Sequence, residues 1–308
     1  MKRSHRLKYA AQGIALRAGF FACRAIPFRA RVAFFSGVAR LCESLVFRGM
    51  AKKNLETAFG NELSKTEQRN IRRANARAVG QMAAEWVDFN HDHGALVERR
   101  IIVDDTISLL EETMKLQKGA IMITPHFGNW ELIPAYLIRR GYLGAVVARM
   151  PANPILAKLL VDIRARAGVE SLDALLQRRR IVRVLQSGGI VGILPDLDSK
   201  RAAGVFVNFF GKPAWTPTGP AHLAILSGAP IIPTYLLPED GRYRLIFEPA
   251  ILPNLNIDKQ TEILRLTQAW CERFEARIRA NPEHWVWMHD RWSTTPEKAI
   301  ERRNRRAR

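Results

Sequence analysis

Two residues of this chain could carry acid–base chemistry together. His126 and Glu131 stand five apart in the stretch His126-Phe127-Gly128-Asn129-Trp130-Glu131. On a continuous helix that spacing would turn them about 140° away from each other. Across a turn they can face one pocket. There a carboxylate can hold the imidazole in the tautomer that leaves one nitrogen free as a base. Such a histidine can take the proton of an attacking hydroxyl. Amides left free at a following helix start could steady the oxyanion that forms. A histidine and a glutamate at this spacing are, taken alone, more often a structural pair, so the setting decides.

That setting is a strand, a turn and a helix. The apolar run 120–124 predicts a buried strand that ends at Pro125-His126. Gly128 permits a tight turn, and a helix is predicted over 131–140. Further buried strands are predicted over 143–148, 190–194 and 231–237, with one more over 242–247. Helices are predicted over 154–167, 173–186, 217–227 and 258–280. Strands alternating with helices predict an α/β fold with a mostly parallel sheet flanked by helices. The carboxyl ends of the strands in such a sheet are where sites gather, which puts His126 in the right place.

Upstream, Ser64-Lys65-Thr66-Glu67 reads as a capping box that opens a long helix. Val79, Met82, Trp86 and Phe89 recur in it at helical spacing and read as core. Before it, residues 9–25 and 32–47 are rich in apolar side chains but interrupted by Arg17, Arg24 and Arg40. They predict helices embedded in, or lying on, a membrane surface with snorkelling arginines. No cleavable signal peptide is evident. Three parts are expected: a membrane-associating helical segment over 1–60, an α/β catalytic domain over 61–295, and a basic flexible tail over 296–308.

Charge narrows the partners. The 308 residues hold 48 basic and 29 acidic side chains, a net charge of +19. Residues 1–60 alone carry 12 Lys and Arg against Glu43 and Glu56. Such a balance suits an anionic membrane, a nucleic acid or an acidic protein. No helix-turn-helix, zinc or RNP signature is present, so nucleic acid is not the expected partner. Cys23, Cys42 and Cys271 form no metal-binding pattern. No Gly-x-Ser-x-Gly elbow supports a covalent serine mechanism, which leaves direct attack by an acceptor hydroxyl.

At His126-Phe127-Gly128-Asn129-Trp130-Glu131 the chain resembles the His-x4-Asp/Glu acyltransferases of glycerolipids and lysophospholipids. In its Gly-Asn-Trp form it resembles the late acyltransferases of lipid A biosynthesis, the lauroyl and myristoyl type. Further blocks agree in order: Asn54-Leu55 with Phe59, Arg149 with Asn153-Pro154, Pro195-Asp196-Leu197-Asp198, and Phe209-Phe210-Gly211 with Thr216-Pro217-Thr218-Gly219. Near the end, Pro282-Glu283-His284-Trp285-Val286-Trp287-Met288-His289 with Arg291-Trp292 completes the series. His284 stands where glutamine is usual. The likeness covers residues 50–295.

The resemblance implies an acyl thioester on acyl carrier protein as donor and a lipid A precursor hydroxyl as acceptor. It implies no metal or organic cofactor, and a place at the cytoplasmic face of the bacterial inner membrane. A related glycolipid such as a phosphatidylinositol mannoside remains an alternative acceptor. A non-enzymatic membrane adaptor and a nucleic-acid-binding protein remain the other classes. His126 and Glu131 are the catalytic candidates; Arg149, Arg164, Asp196, Asp198 and Asn129 are the substrate-binding candidates. The Arg178-Arg179-Arg180 and Arg183 cluster reads as a solvated helix face with a carrier-protein or membrane role as the alternative.

Overall fold

The computed structural model describes residues 19, 22–47, 49–148, 151, 153–199 and 202–307. Helices α1 (Phe28–Leu45), α2 (Met50–Phe59), α3 (Lys65–His91) and α4 (Leu96–Arg100) come first. Then strands and helices alternate through β1 (Ile101–Val103), α5 (Ile107–Met114), β2 (Ala120–Ile123), α6 (Leu132–Arg139) and β3 (Gly144–Ala148). The alternation continues with α7 (Pro154–Arg166), β4 (Glu170–Asp173), α8 (Arg178–Gln186) and β5 (Ile190–Ile193). A hairpin of β6 (Gly204–Phe209) and β7 (Lys212–Pro217) leads into α9 (Gly219–Ser227). The pair β8 (Ile231–Glu239) and β9 (Arg242–Phe247), then α10 (Lys259–Ala280) and α11 (Pro296–Ala307), close the order.

Seven strands form the main sheet in the order β1-β9-β8-β2-β5-β3-β4. β8, β2, β5, β3 and β4 run parallel, β9 runs against β8, and β1 runs along β9. Side chains alternate across β2: Ile121 and Ile123 join one hydrophobic core, Ala120 and Met122 the other. Both faces are therefore covered, which is why the central strands read as unbroken apolar runs.

The predicted mostly parallel α/β sheet is present, and three of its parts differ from the sequence reading. Residues 170–173, assigned in part to a helix over 173–186, form the edge strand β4, and the helix begins only at Arg178. An edge strand pairs on one side and tolerates polar side chains, so Glu170-Ser171-Leu172-Asp173 carries no apolar run to betray it. The hairpin β6–β7 is not among the predicted strands; Phe210 and Gly211 turn it with φ of 55° and 68°, the left-handed pair that a tight hairpin turn needs. β1, only three residues long, was also unseen.

The capping box is as expected: Ser64 Oγ accepts from Glu67 N, and Glu67 accepts from Ser64 N at 2.7 Å. Of the stripe expected to be core, Phe89 is buried and Trp86 packs against the core. Val79, Met82 and Trp86 are half-buried, whereas Asn75, Gly80, Ala84 and Glu85 are buried. The reason is that α3 is covered from two sides. At Gly80 a Cβ would lie 2.5 Å from the backbone nitrogen of Ser36, so α1 rests directly on α3.

α1 is an inside-out helix. Arg31 is buried and bonds to Asp88 and to the Ala84 carbonyl, while Phe34, Val38, Leu41 and Leu45 face outward. No helix of the described residues is long and apolar enough to cross a membrane. Most of the predicted helix over 9–25 lies outside the described residues, of which it includes 19 and 22–25.

Candidate active site

Register puts the candidate groups on one rim. Ile123 of β2 pairs with Ile193 of β5, Ile193 with Val147 of β3, and Val147 with Leu172 of β4. Three residues beyond Ile123 comes His126; three beyond Ile193 comes Asp196. Neighbouring strand ends thus bring together two residues that lie 70 apart in the chain.

Asp196 grips His126 twice. Its Oδ1 meets His126 Nδ1 at 2.7 Å, and its Oδ2 accepts the His126 backbone N–H at 2.8 Å. Trp285 Nε1 donates to the same Oδ2 at 2.8 Å. Burial of Asp196 opposes its ionisation, but its interaction with His126 and these hydrogen bonds outweigh that, and the carboxyl lies below the usual range. With Nδ1 engaged, Nε2 is the nitrogen left for a substrate. The ring stays partly open to solvent and meets Trp130 edge-on at 4.9 Å.

Glu131 stands elsewhere than the five-residue spacing suggested. No hydrogen bond or ion pair joins it to His126 among the described residues. Instead it accepts from Arg164 Nε at 2.9 Å and Nη2 at 2.6 Å, a bidentate pair from α7 to the start of α6. The physical reason is direction. The turn through Gly128, at φ 60°, redirects the chain before α6 begins, and Glu131 pairs with Arg164 of α7. A Cβ on Gly128 would meet the Leu236 carbonyl oxygen at 2.5 Å, so only glycine fits.

Asn129 is also placed otherwise than a substrate contact requires. It is fully buried, and its Nδ2 donates to Glu85 Oε2 at 2.8 Å. Glu85 accepts as well from Tyr243 Oη at 2.6 Å and Gln81 Nε2 at 3.2 Å. This buried network ties the turn to α3, and nothing in the sequence around Glu85 marks it. The amides of His126, Gly128, Leu132 and Ile133 are already bonded.

Asp198 turns from the rim to the chain's last segment, where it accepts from Thr294 N at 2.7 Å, Thr294 Oγ1 at 2.8 Å and Ser293 Oγ at 3.0 Å. Other motif residues hold the same segment. Asn54 Nδ2 donates to the carbonyls of Trp287 and His289, and Asn75 Nδ2 to those of Glu283 and Trp285. Gly128 N donates to His284 O at 3.0 Å. Arg291, fully buried, donates to Trp215 O and lies over the Phe209 ring. The scattered blocks are thus one construction, a strap over 282–294 tied down across the histidine turn. Arg149 lies outside the described residues.

Beside the rim opens a narrow apolar cavity of about 70 Å³ between α6 and the strands β3 and β5. Trp130, Glu131, Arg164 and Ala148 line it near the rim, and Tyr142, Leu143, Gly144 and Ile190 at the far end. It runs the length of β3, about 15 Å at the usual strand rise. Gly192 lies midway on its floor. A Cβ there would make ordinary contacts, 3.5 Å to Val146 Cγ1, so backbone geometry does not demand glycine. A glycine inside a strand weakens it, and here its effect is open space in the cavity.

This fold, with a deep apolar cavity beside a histidine at the strand rim, places the protein in the class of α/β acyltransferases. It belongs to the bacterial lipid A biosynthesis acyltransferase family, whose pattern matches residues 1–294. The chain is 28% identical over 284 residues to a phosphatidylinositol mannoside acyltransferase of Mycobacterium tuberculosis, covering 90% of this chain and 87% of that one. It is 30% identical over 259 residues to the lipid A biosynthesis lauroyltransferase of Escherichia coli, covering 80% and 78%. A lipid A biosynthesis palmitoleoyltransferase of the same organism is 25% identical over 261 residues, covering 80% and 79%.

Proposed function

We propose that the protein transfers a fatty acyl chain from an acyl carrier protein thioester to a hydroxyl of a lipid A precursor. The observation that carries this reading is the His126–Asp196 pair at the strand rim, with the His126 ring against Trp130, which lines the apolar cavity. The chain lies along β3, with the thioester carbonyl at the rim. His126 Nε2 takes the proton of the acceptor hydroxyl as its oxygen attacks that carbonyl. The tetrahedral intermediate collapses, the C–S bond breaks, and the imidazolium returns the proton to the departing thiolate. Asp196 steadies the imidazolium and holds its tautomer. Glu131 fixes Arg164 at the mouth, where its guanidinium is suited to an acceptor phosphate; Arg149 stays a candidate for the same role from its sequence alone.

The outward Phe34, Val38, Leu41 and Leu45 of α1 recur at helical spacing and support docking on a membrane surface, where the acceptor resides. The inner membrane's cytoplasmic face is the place this reading assigns. A phosphatidylinositol mannoside is the second acceptor to weigh, because the mycobacterial relatives match over 90% of this chain. The test is transfer by purified enzyme from carrier-protein thioesters of graded length to each acceptor, with products weighed by mass spectrometry. Acylated lipid A precursor is the expected product. Transfer to the mannoside alone would replace the acceptor, and no transfer to either would sink the reading.

A further inference from the structure

We infer that the exposed tip of α8, with Leu175 and Leu176 before it, is where the acidic carrier protein of the donor docks. This rests on the carrier-thioester reading above. α8 opens on Arg178-Arg179-Arg180 with Arg183 one turn on, all four exposed. Arg180 pairs with Glu170 at 2.6 Å. Arg178, Arg179 and Arg183 pair with no carboxylate among the described residues. Three arginines at a helix amino end oppose the helix dipole, and the first turn holds no acid to offset them. Folding therefore gains nothing from them, and an external anionic partner would.

The leucines beside them are displayed. Leu175 is 59% exposed and Leu176 86%. Asp173 Oδ1 accepts from both of their amides, at 2.8 and 2.9 Å, and Gln177 Oε1 accepts from Asp173 N at 2.7 Å. The turn is thus fixed with its apolar side chains outward. An apolar centre within a charged rim is the pattern of a protein–protein contact. A membrane contact is already available on α1, a separate helix with a longer apolar stripe, so the compact tip of α8 is assigned to a protein.

Position makes the assignment specific. Asp173, which fixes the turn, is the register partner of Ala148, which lines the cavity near the rim. The docking patch starts one strand spacing from the mouth, about 5 Å, and three spacings from the strand that carries His126, about 14 Å. A thioester on a flexible prosthetic arm would drop from a carrier seated there into the mouth. The overall charge of +19 favours an acidic carrier from a distance.

The test is the variant R178E/R179E/R183E, assayed with acyl carrier protein thioester and with the matching acyl-pantetheine thioester, which lacks the protein. Glutamates at a helix start favour the helix, so the fold is kept; thermal melting checks it. The expected result is a KM for the carrier-borne donor raised about tenfold or more at unchanged kcat. Acyl-pantetheine kinetics should not move, and the salt dependence of KM seen in the parent should flatten. Leu176→Ser should raise the same KM with the charges intact. An unchanged carrier KM, or equal rises for both donors, overturns the docking site. So does a carrier KM that merely follows lost binding to phosphatidylglycerol vesicles, which would make the tip a membrane contact. A parent enzyme that accepts the coenzyme A thioester but refuses the carrier thioester overturns the donor reading and the docking site with it; the arms above overturn docking alone.

Discussion

Asp196 and Glu131 are both carboxylates at the strand rim, both buried, and each bonded twice to one basic residue, Asp196 to the ring and backbone N–H of His126 and Glu131 to the guanidinium of Arg164. They differ in what they hold. Asp196 holds an imidazole, a group that can give and take a proton near neutral pH. Glu131 holds a guanidinium, which stays charged throughout. One carboxylate therefore belongs to proton transfer and the other to the fixed charge at the cavity mouth. Local spacing cannot tell these jobs apart; the basic partner supplied from across the fold does.

The largest effect should come from His126→Ala, which removes the base and should lower kcat by about 10³- to 10⁴-fold with membrane binding retained. Asp196→Asn keeps the shape but not the charge, and should cost about 10²-fold in kcat. Glu131→Gln should cost less turnover, about tenfold, and lower unfolding free energy by about 1–3 kcal/mol as Arg164 loses its partner. Equal losses in Asp196→Asn and Glu131→Gln would break the comparison and return Glu131 to the reaction centre. On the cavity side, Gly192→Val should leave short acyl donors untouched and slow long ones, read by competition between two donor lengths; a uniform loss would detach the cavity from chain selection.

The smallest effect concerns pH. Asp196 has its carboxyl lowered in the folded protein, so its contribution is complete above the ordinary carboxylate range and is lost as pH falls through the folded value. His284 and His289 are lowered from 6.5 chiefly by burial, so the unfolded chain takes up protons there more readily. Both signs agree. Stability should fall as pH drops below about 6.5 and fall again in the acid range, with the second step blunted in Asp196→Asn. Denaturation midpoints across that range measure it.

The sheet was largely legible because β2, β5 and β8 are covered on both faces and spell it in apolar runs. Edge strand β4 and hairpin β6–β7 were not, since β4 pairs on one side alone and β6–β7 stands apart from the main sheet, packed on α10 through only part of its side chains. His126 was legible from the strand end before it. Its partner was not, because the nearest carboxylate in sequence is five residues away and the bonded one is 70. Asp196 was noticed at its own strand end, but only strand order and register bring the two ends together. Asn129 was taken for a substrate contact because its partner, Glu85, is 44 residues upstream on a helix whose buried face is polar.

The strap over 282–294 has a consequence for the order of events during synthesis. Its ties reach back 233 residues to Asn54, 208 to Asn75 and 89 to Asp196. Contacts of such separation close late, because the loops between them cost entropy first. A nascent chain can assemble its sheet and cavity while the tryptophan that steadies Asp196 is still to be translated. The catalytic pair is then finished by a segment made after the sheet, so chains that lack it carry a place for the fatty tail without an ordered base to act on it.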